Sequence, residues 1–294
     1  MSLHVQPFHH ADTGTWSYLV SDTASARGAI IDPVLDFDPH SGRTGHSMAQ
    51  ALLDAAREQH LDVHWLLETH AHADHLSAAQ WLKAQLPQAQ VAIGQGIVQV
   101  QLTLAPLLGL EGEVATDGRQ FDHLFHHDDT FRVGNLAARV IAVPGHTHDS
   151  LAYLIGDALF TGDSLFMPDA GTARCDFPGG DAALLYRSIQ RLYALPDATR
   201  VFVCHDYGVG NHGSDAGGRE PRCQTTIGEQ KRSNIHVRAD TDEAAFVAMR
   251  QARDATLDLP ALILPALQIN LRAGALPDPA ADGVRYLKIP LNRF

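Results

Sequence analysis

Short apolar runs alternate with turn-forming residues through the first part of the chain. Alternating apolar and polar positions predict β-strands at residues 3–8, 15–20 and 28–31, and Asp32-Pro33 closes the last of these. A continuous apolar run at residues 63–67 predicts a buried strand. Apolar residues spaced three and four apart predict helices at residues 45–59 and 75–86, so strands and helices alternate here.

The remainder of the chain has the same mixture. Strands are predicted at residues 136–143, 150–155, 158–161 and 201–203, and helices at residues 181–193 and 242–253. Because both halves combine strands with helices, the sequence predicts a layered α/β protein rather than a helical bundle or an all-β barrel. A glycine-rich stretch at residues 208–222 is interpreted as either a domain linker or a loop at an active site.

The composition narrows the classes of function. The 294 residues include 22 Lys+Arg and 34 Asp+Glu, and the net charge of −12 argues against binding to nucleic acid or to an anionic membrane. The chain also contains 18 histidines, an unusually large number. Because neutral imidazole is the commonest metal ligand, this content directs attention to metal sites.

Cysteine usage and hydropathy predict a cytoplasmic protein. The three cysteines are an odd number without a C-x-x-C pair, which is typical of a reducing compartment rather than a disulfide framework. The first residues lack the basic and apolar regions of a secretory signal. The longest apolar stretch, residues 257–271, contains Pro260 and Pro265 and is too short to span a bilayer.

The densest group of candidate ligands follows the apolar run at residues 63–67. It has the sequence Glu68-Thr69-His70-Ala71-His72-Ala73-Asp74-His75. His70 and His72 are two residues apart, so on an extended backbone their side chains point to the same side. Asp74 either joins them or caps the next helix. This spacing predicts a metal pocket at a strand-to-helix turn.

Ligand-type residues also follow three later strands. The strand at residues 136–143 leads to His146, the strand at residues 158–161 leads to Asp163, and the strand at residues 201–203 leads to His205. Strand ends in layered α/β proteins meet at one edge of a sheet. We therefore expect these three side chains to share a crevice with the histidine cluster.

The motifs T-H-x-H-x-D-H, P-G-H-T, T-G-D and C-H-D-Y, in this order, resemble those of the metallo-β-lactamase superfamily over residues from about 10 to 235. The resemblance implies a four-layer αββα sandwich as a single domain over residues 1–294, with residues from about 206 to 294 as a C-terminal extension packed on the core. It assigns His70, His72 and His146 to a first metal site, and Asp74, His75 and His205 to a second. Asp163 lies between the two sites.

Two glutathione-linked branches of that superfamily match best. Residues 225–234 resemble both of them, whereas the segment after Asp163 differs between them. Glyoxalase II typically has G-C-G-R followed by F-E-G, and persulfide dioxygenases carry an R-x-D-F core, as Arg174–Phe177 does here. The resemblance therefore favours a persulfide dioxygenase that oxidises glutathione persulfide with O2 to sulfite and glutathione, as part of sulfide detoxification.

This branch implies one Fe(II) per chain, held by His70, His146 and Asp163, and no catalytic residue beyond the metal site. Two histidines and one carboxylate leave positions open for dioxygen and substrate. The other ligand-type residues then support the site or form a second one: His72, Asp74, His75 and His205. Because they are all present, the alternative is a glyoxalase II-type hydrolase of glutathione thioesters with two zinc ions. A third reading is a non-catalytic metal-binding or redox-regulatory protein.

Glutathione carries carboxylates, so its pocket needs local positive charge. The candidates for substrate binding are Arg174, Tyr207, Arg219 and Lys231. The resemblance also suggests a homodimer, and the net charge of −12 predicts no nucleic-acid or membrane partner.

Several other residues are expected to have no role in the site. The histidines interpreted as surface residues are His9, His10, His40, His46, His123, His126 and His127, the last three lying before a predicted turn at residues 131–134. Cys204 is expected to be buried and Cys175 to be a packed thiol, although the adjacent Arg174 could favour a thiolate.

Overall fold

The computed structural model describes residues 3–208 and 219–293. Its strands, in chain order, are β1 (Leu3–His10), β2 (Thr15–Asp22), β3 (Arg27–Ile31), β4 (Val34–Asp38), β5 (Arg43–Gly45), β6 (Asp62–Leu67), β7 (Leu76–Ser77), β8 (Gln90–Gly94), β9 (His123–Phe125), β10 (Thr130–Val133), β11 (Leu136–Ala142), β12 (Leu151–Ile155), β13 (Ala158–Phe160), β14 (Arg200–Phe202) and β15 (Gln224–Thr226). Its helices are α1 (Ser47–Glu58), α2 (Ala79–Gln85), α3 (Ile97–Leu107), α4 (Ala182–Tyr193), α5 (Ile227–Ser233), α6 (Glu243–Asp254) and α7 (Ile263–Asn270).

Most strands belong to two six-stranded sheets. The first has the order β1-β2-β3-β6-β8-β9 and the second the order β10-β11-β12-β13-β14-β15. In the first sheet β3, β6, β8 and β9 are parallel. Parallel neighbours need crossover connections, and α1, α2 and α3 lie in those connections. A small third sheet has the order β5-β4-β7.

The alternation of side chains along each strand builds the layers. In the first sheet Leu19 and Ile30 face the helices, whereas their neighbours Val20 and Ile31 face the second sheet. In the second sheet Val140 and its register partner Tyr153 face the first sheet, and the alternate residues pack against α4, α5 and α6. The result is a helix–sheet–sheet–helix sandwich, so the predicted four-layer αββα fold is confirmed.

Two local predictions are wrong. The helix predicted at residues 75–86 begins only at Ala79, because residues 76–77 pair with β4 as a short strand. The predicted turn at residues 131–134 is instead mostly strand β10, which pairs with β11. In both places alternation over a very short segment gave no usable signal, and pairing across the sheet decides the structure.

Described elements after residue 206 pack on the sandwich. β15 pairs with β14, α6 packs on α4, and α7 contacts β7. The division of the chain at about residue 206 stays a prediction, as do the homodimer and the cytoplasmic location. Within residues 3–208 and 219–293 no helix is long and apolar enough to cross a bilayer.

Candidate metal centre

The ends of four strands bring the predicted ligands to one edge of the sandwich. His70, His72, Asp74 and His75 follow β6, His146 follows β11, Asp163 follows β13 and His205 follows β14. β13 is parallel to β14, and β11 and β13 are both antiparallel to β12. These three strands therefore end on the same side of the second sheet, which explains why distant residues converge.

Hydrogen bonds join the two sheets directly behind this edge. Leu151 N donates to Thr69 O at 2.8 Å, and Tyr153 Oη donates to Glu68 O at 2.8 Å. Trp16 N donates to Cys204 O at 2.7 Å. The loops that carry the candidate ligands are thus fixed to strands of the opposite sheet.

His70, His146 and Asp163 form a compact group. Their ligand atoms lie within 4.8 Å of one another, and all three residues are buried. Asp163 Oδ2 is 3.8 Å from His70 Nε2 and 3.7 Å from His146 Nε2. Separations of this size are too long for hydrogen bonds and leave room for an ion between the three side chains.

A second group contains His72, Asp74, His75 and His205, whose ligand atoms also lie within 4.8 Å of one another. His205 Nε2 is 3.2 Å from Asp74 Oδ2 and 3.4 Å from Asp163 Oδ1. Asp163 thus faces both groups through its two oxygens. All seven predicted residues are brought together.

The unpaired atoms of these side chains point to a metal. Five buried atoms of these seven side chains have no hydrogen-bond partner among the described residues: His70 Nε2, His72 Nδ1, His75 Nε2, His205 Nε2 and Asp163 Oδ1. An unsatisfied buried polar atom costs about 1–3 kcal/mol, so a cluster of them needs an explanation. Imidazole nitrogens with carboxylate oxygens suit zinc or iron. The residues present therefore fit a divalent transition metal, whose identity the donor set leaves open.

The other ring nitrogens are held by acceptors that turn the rings toward the centre. Thr69 Oγ1 lies 3.1 Å from His70 Nδ1 and donates its own proton to Asp32, so it accepts from the imidazole. Thr15 Oγ1 lies 3.3 Å from His75 Nδ1 and 3.4 Å from His205 Nδ1. Fixing a proton on one nitrogen leaves a lone pair on the other, which is the arrangement that a metal requires.

Asp32 holds the His72 ring with Nδ1, rather than Nε2, toward the candidate ligands. His72 Nε2 donates to Asp32 Oδ1 at 3.0 Å, and Asp32 also accepts from Thr69 N at 2.7 Å and Thr69 Oγ1 at 2.9 Å. Burial would raise the pKa of Asp32, but His72 and these donors lower it. The carboxylate is therefore ionised, and Nδ1 of His72 faces the candidate ligands.

The shifts in pKa favour neutral imidazoles at His70 and His75 and an ionised carboxylate at Asp74. Burial, followed by the charges of His72 and His146, lowers the pKa of His70 well below 6.5. Burial and His72 lower the pKa of His75 to about 3. Burial opposes ionisation of Asp74, yet His205 and His75 lower its pKa. Metal ligands must be deprotonated, so these groups are poised to bind.

Three of the four predicted substrate residues lie in ion pairs. The Arg174 guanidinium binds Asp176 at 2.6 Å and donates to Asp258 O at 2.6 Å. Arg219 binds Asp169 and Asp206, and Lys231 in α5 binds Asp197 at 2.6 Å. The Tyr207 ring stacks on His205 with 6.3 Å between centroids and is 51% exposed. Of the four, Tyr207 is in ring contact with a candidate ligand.

The glycine-rich stretch at residues 208–222 is only partly described, because residues 209–218 lie outside the described residues. Its far end returns to the site through Arg219, which binds Asp206 next to His205. Arg222 N also donates to Asp206 Oδ2 at 2.6 Å. At this end the stretch contacts the candidate site, as a loop at an active site would.

Three of the histidines interpreted as surface residues, His9, His10 and His123, are not fully exposed. His9 and His10 are half-buried, and the His9 ring lies 4.5 Å from Trp16 because strand β1 pairs with β2. His40, His46, His126 and His127 are exposed as expected, and the His123 ring lies against Trp65.

Both cysteine predictions are confirmed. Cys204 is buried. Burial raises the pKa of the Cys175 thiol, so the adjacent arginine does not produce a thiolate.

Sequence reasoning missed the residues that support the ligands. Asp32 follows β3 directly, so the strand-end rule used for the other ligands would have found it. Asn270 in α7 donates to His72 O and His75 O at 2.8 Å each, and its Oδ1 accepts from Ser77 N. Nothing near Asn270 in the sequence indicates this contact.

Comparisons with known proteins agree with this architecture. The family model described as "Metallo-beta-lactamase superfamily" matches residues 11–205. A beta-lactamase hydrolase-like protein of Xylella fastidiosa is 50% identical over 98% of this chain, which spans 64% of that relative's length. Glyoxylase B2 of Dictyostelium discoideum is 43% identical over 98% of this chain and 97% of its own.

Persulfide dioxygenase relatives are more distant. The mitochondrial persulfide dioxygenase ETHE1 of Mus musculus is 28% identical over 90% of this chain and 87% of its own. The crystal structure of ETHE1 from Myxococcus xanthus is 30% identical and superposes with a TM-score of 0.71, covering 92% of this chain and 100% of that one.

Proposed function

The chain belongs to the metallo-beta-lactamase superfamily, and within it we propose a persulfide dioxygenase that converts glutathione persulfide, dioxygen and water into sulfite, glutathione and protons. One observation carries this proposal: two histidines and one carboxylate, His70, His146 and Asp163, form a compact buried group. This is the donor set of non-haem iron(II) oxygenases. A role in sulfide detoxification would follow from this reaction.

Two comparisons support the same branch. The chain resembles, over most of its length, proteins named ETHE1, one of which is named a persulfide dioxygenase. Arg174–Phe177 has the R-x-D-F form typical of that branch, and it lies beside the centre because His146 Nδ1 donates to Arg174 O at 2.7 Å.

In this proposal His70, His146 and Asp163 hold one iron ion per chain. When bound, ferrous iron supplies the redox chemistry that dioxygen needs, with coordination positions left open by three protein ligands. The chain itself keeps the histidines in the ligating tautomer through Thr69 and the Arg174 carbonyl. Burial of all three side chains keeps bulk water away from the centre.

The substrate residues belong to the proposal as well. Tyr207 is the best placed for contact with glutathione, because its ring is exposed and stacks on His205. Arg174, Arg219 and Lys231 are proposed to bind the glutathione carboxylates, in competition with their present partners Asp176, Asp169 and Asp197. His72, Asp74, His75 and His205 are proposed to support the iron ligands through hydrogen bonds.

A second candidate is a hydrolase of glutathione thioesters with two zinc ions. The observation in its favour is that His72, Asp74, His75 and His205 form another group of suitable size. Paired metals activate a bridging water in enzymes of this kind. The relatives named hydrolase-like protein and glyoxylase are also more similar in sequence than the persulfide dioxygenases.

The deciding experiment measures metal content together with two activities. Protein purified without added metal is analysed for iron and zinc, then supplied with glutathione persulfide while oxygen uptake and sulfite are followed. One iron per chain and coupled oxygen uptake support the dioxygenase. Two zinc ions, no oxygen uptake and hydrolysis of a glutathione thioester would replace it with the hydrolase.

Asp163→Ala tests the ligand assignment. Since Asp163 faces both groups, this variant should lose metal and turnover together. Asp157→Ala, which removes an exposed carboxylate paired with Arg200, is the matched control and should keep both. Full iron occupancy in Asp163→Ala would contradict the assignment.

A further inference from the structure

The orientation of His146 depends on one main-chain carbonyl. His146 Nδ1 donates to Arg174 O at 2.7 Å, and His146 Nε2 then faces Asp163 at 3.7 Å. A carbonyl can only accept, so it fixes the proton on Nδ1 and leaves Nε2 as the ligating atom. The position of the Arg174 carbonyl therefore sets the position of a proposed metal ligand.

The segment that carries this carbonyl has no regular secondary structure, and helix α6 binds it on both sides. Arg250 Nη1 donates to Thr172 O at 3.1 Å, two residues before Arg174. Asp254 Oδ2 accepts from Cys175 N at 2.8 Å, one residue after it. Both contacts are main-chain contacts, so they fix the path of the backbone rather than a side chain.

Arg250 and Asp254 also bind each other and are almost completely buried. Arg250 Nη2 is 2.7 Å from Asp254 Oδ1, and the side chains are 1% and 5% exposed. A buried ion pair adds little net stability compared with an apolar pair of the same volume, because both charges must be dehydrated. What the pair adds here is two charged groups of fixed position that bind the flanks of Arg174.

An open cleft lies beside this segment on the side of α6. A cavity of about 520 Å³ lies between α4 and α6 and is lined by Cys175, Asp176, Val247 and Asp254, among others. Side chains of α4 and α6 line this space without filling it. Arg250 and Asp254 connect α6 to the segment beside this cleft through their hydrogen bonds with Thr172 O and Cys175 N.

We propose that Arg250 and Asp254 are positioning residues for the metal centre, acting on His146 through the backbone of residues 172–175. This inference rests on the metal site of the proposed function, and it is independent of which reaction the site performs. Asp32 and Thr15 contact candidate ligands directly, whereas Arg250 and Asp254 would act on His146 through the main chain.

The test is a cobalt(II) titration of the metal-free full-length protein, read by the visible absorption bands of the bound ion. These bands report ligand geometry without any turnover. Partners of metal ligands contribute about tenfold to a hundredfold in affinity, so Asp254→Asn and Arg250→Met should weaken cobalt binding about tenfold and alter the bands. Arg250→Lys, which keeps a charged donor, should recover most of this loss.

Two further variants separate positioning from general stability. Glu243→Gln, at the start of the same helix, breaks an ion pair with Arg187 on α4 and should leave affinity and bands unchanged. The double variant Arg250→Met/Asp254→Leu replaces both buried charges by apolar groups, so it leaves no unpaired buried charge and should fold, although Thr172 O and Cys175 N lose these partners, and it should still bind cobalt about tenfold more weakly. It keeps the test valid if a single variant does not fold.

Unchanged cobalt affinity and bands in the double variant would overturn the proposal. The result is also distinguishable from a failure of the proposed function. If the unaltered protein binds cobalt normally but consumes no oxygen when it holds iron, the dioxygenase alone is refuted. Altered cobalt bands in the variants support the positioning role for either reaction.

Discussion

Removal of the Asp32 carboxylate should destabilise the protein even in the absence of metal. Asp32 is 2% exposed, and three nitrogen and oxygen donors bind its carboxylate: Thr69 N, Thr69 Oγ1 and His72 Nε2. In Asp32→Ala all three donors lose their acceptor in a buried site. In Asp32→Asn the side-chain oxygen still accepts, but the charge that attracts His72 is gone.

The magnitude follows from these contacts. A buried donor without a partner costs about 1–3 kcal/mol, which sums to about 3–9 kcal/mol for three independent groups. Groups that share one partner are coupled, so the effect is smaller than that sum. We expect the free energy of unfolding to fall by about 3–4 kcal/mol in Asp32→Ala and by about 1–2 kcal/mol in Asp32→Asn.

Urea unfolding in the presence of a chelator measures this difference at neutral pH. Asp38→Ala is the matched control, because Asp38 also accepts local hydrogen bonds, from Ser41 Oγ and from His40 N, but is exposed. It should change stability little. A loss below about 1 kcal/mol in Asp32→Ala would show that the carboxylate is not needed to satisfy these donors, and the reasoning would fail.

Three further predictions concern other contacts of the fold. Asn270→Ala leaves two carbonyls and the Ser77 amide unpaired and should lower the free energy of unfolding by about 2–4 kcal/mol in the same assay; a loss below about 1 kcal/mol would contradict it. Gly145 has φ 139° and any Cβ would overlap the main chain of Leu185, so Gly145→Ala should lower Tm by several degrees and weaken metal binding, whereas normal values would refute the close approach. Burial and Arg250 lower the pKa of His236 from 6.5 to about 4, so the unfolded chain binds the extra proton between these values. Stability of the metal-free protein should therefore fall as the pH drops from 6.5 to about 4, and His236→Gln should show a shallower dependence in urea unfolding at several pH values.

The sequence predicted the layered fold and the seven converging side chains because both rest on local patterns. A buried strand is visible as a run such as residues 63–67, and a ligand that follows it needs only the rule that strand ends meet at one edge. Convergence at His146 and Asp163 then follows from strand direction.

The supporting residues depend on tertiary structure and left no local signal. Asn270 lies 198 positions from His72 along the chain, and Arg250 in α6 lies 78 positions from Thr172. The late start of α2 has the same origin, because pairing with β4 overrides the helical spacing of residues 76–78. Sequence patterns describe one segment at a time, whereas these contacts join segments.

The position of the candidate ligands between the two sheets has a thermodynamic consequence. His70 belongs to a loop of the first sheet, whereas His146 and Asp163 belong to loops of the second. An ion held by all three binds only when both sheets are folded and docked, so its binding free energy is added to the unfolding of both together. At a free concentration of about a thousand times Kd this linkage contributes about 4 kcal/mol. On metal addition, amide hydrogen exchange in β6 and β13 should then slow by the factor that corresponds to this free energy, about a thousandfold. The ion would act like a cross-link between the two sheets.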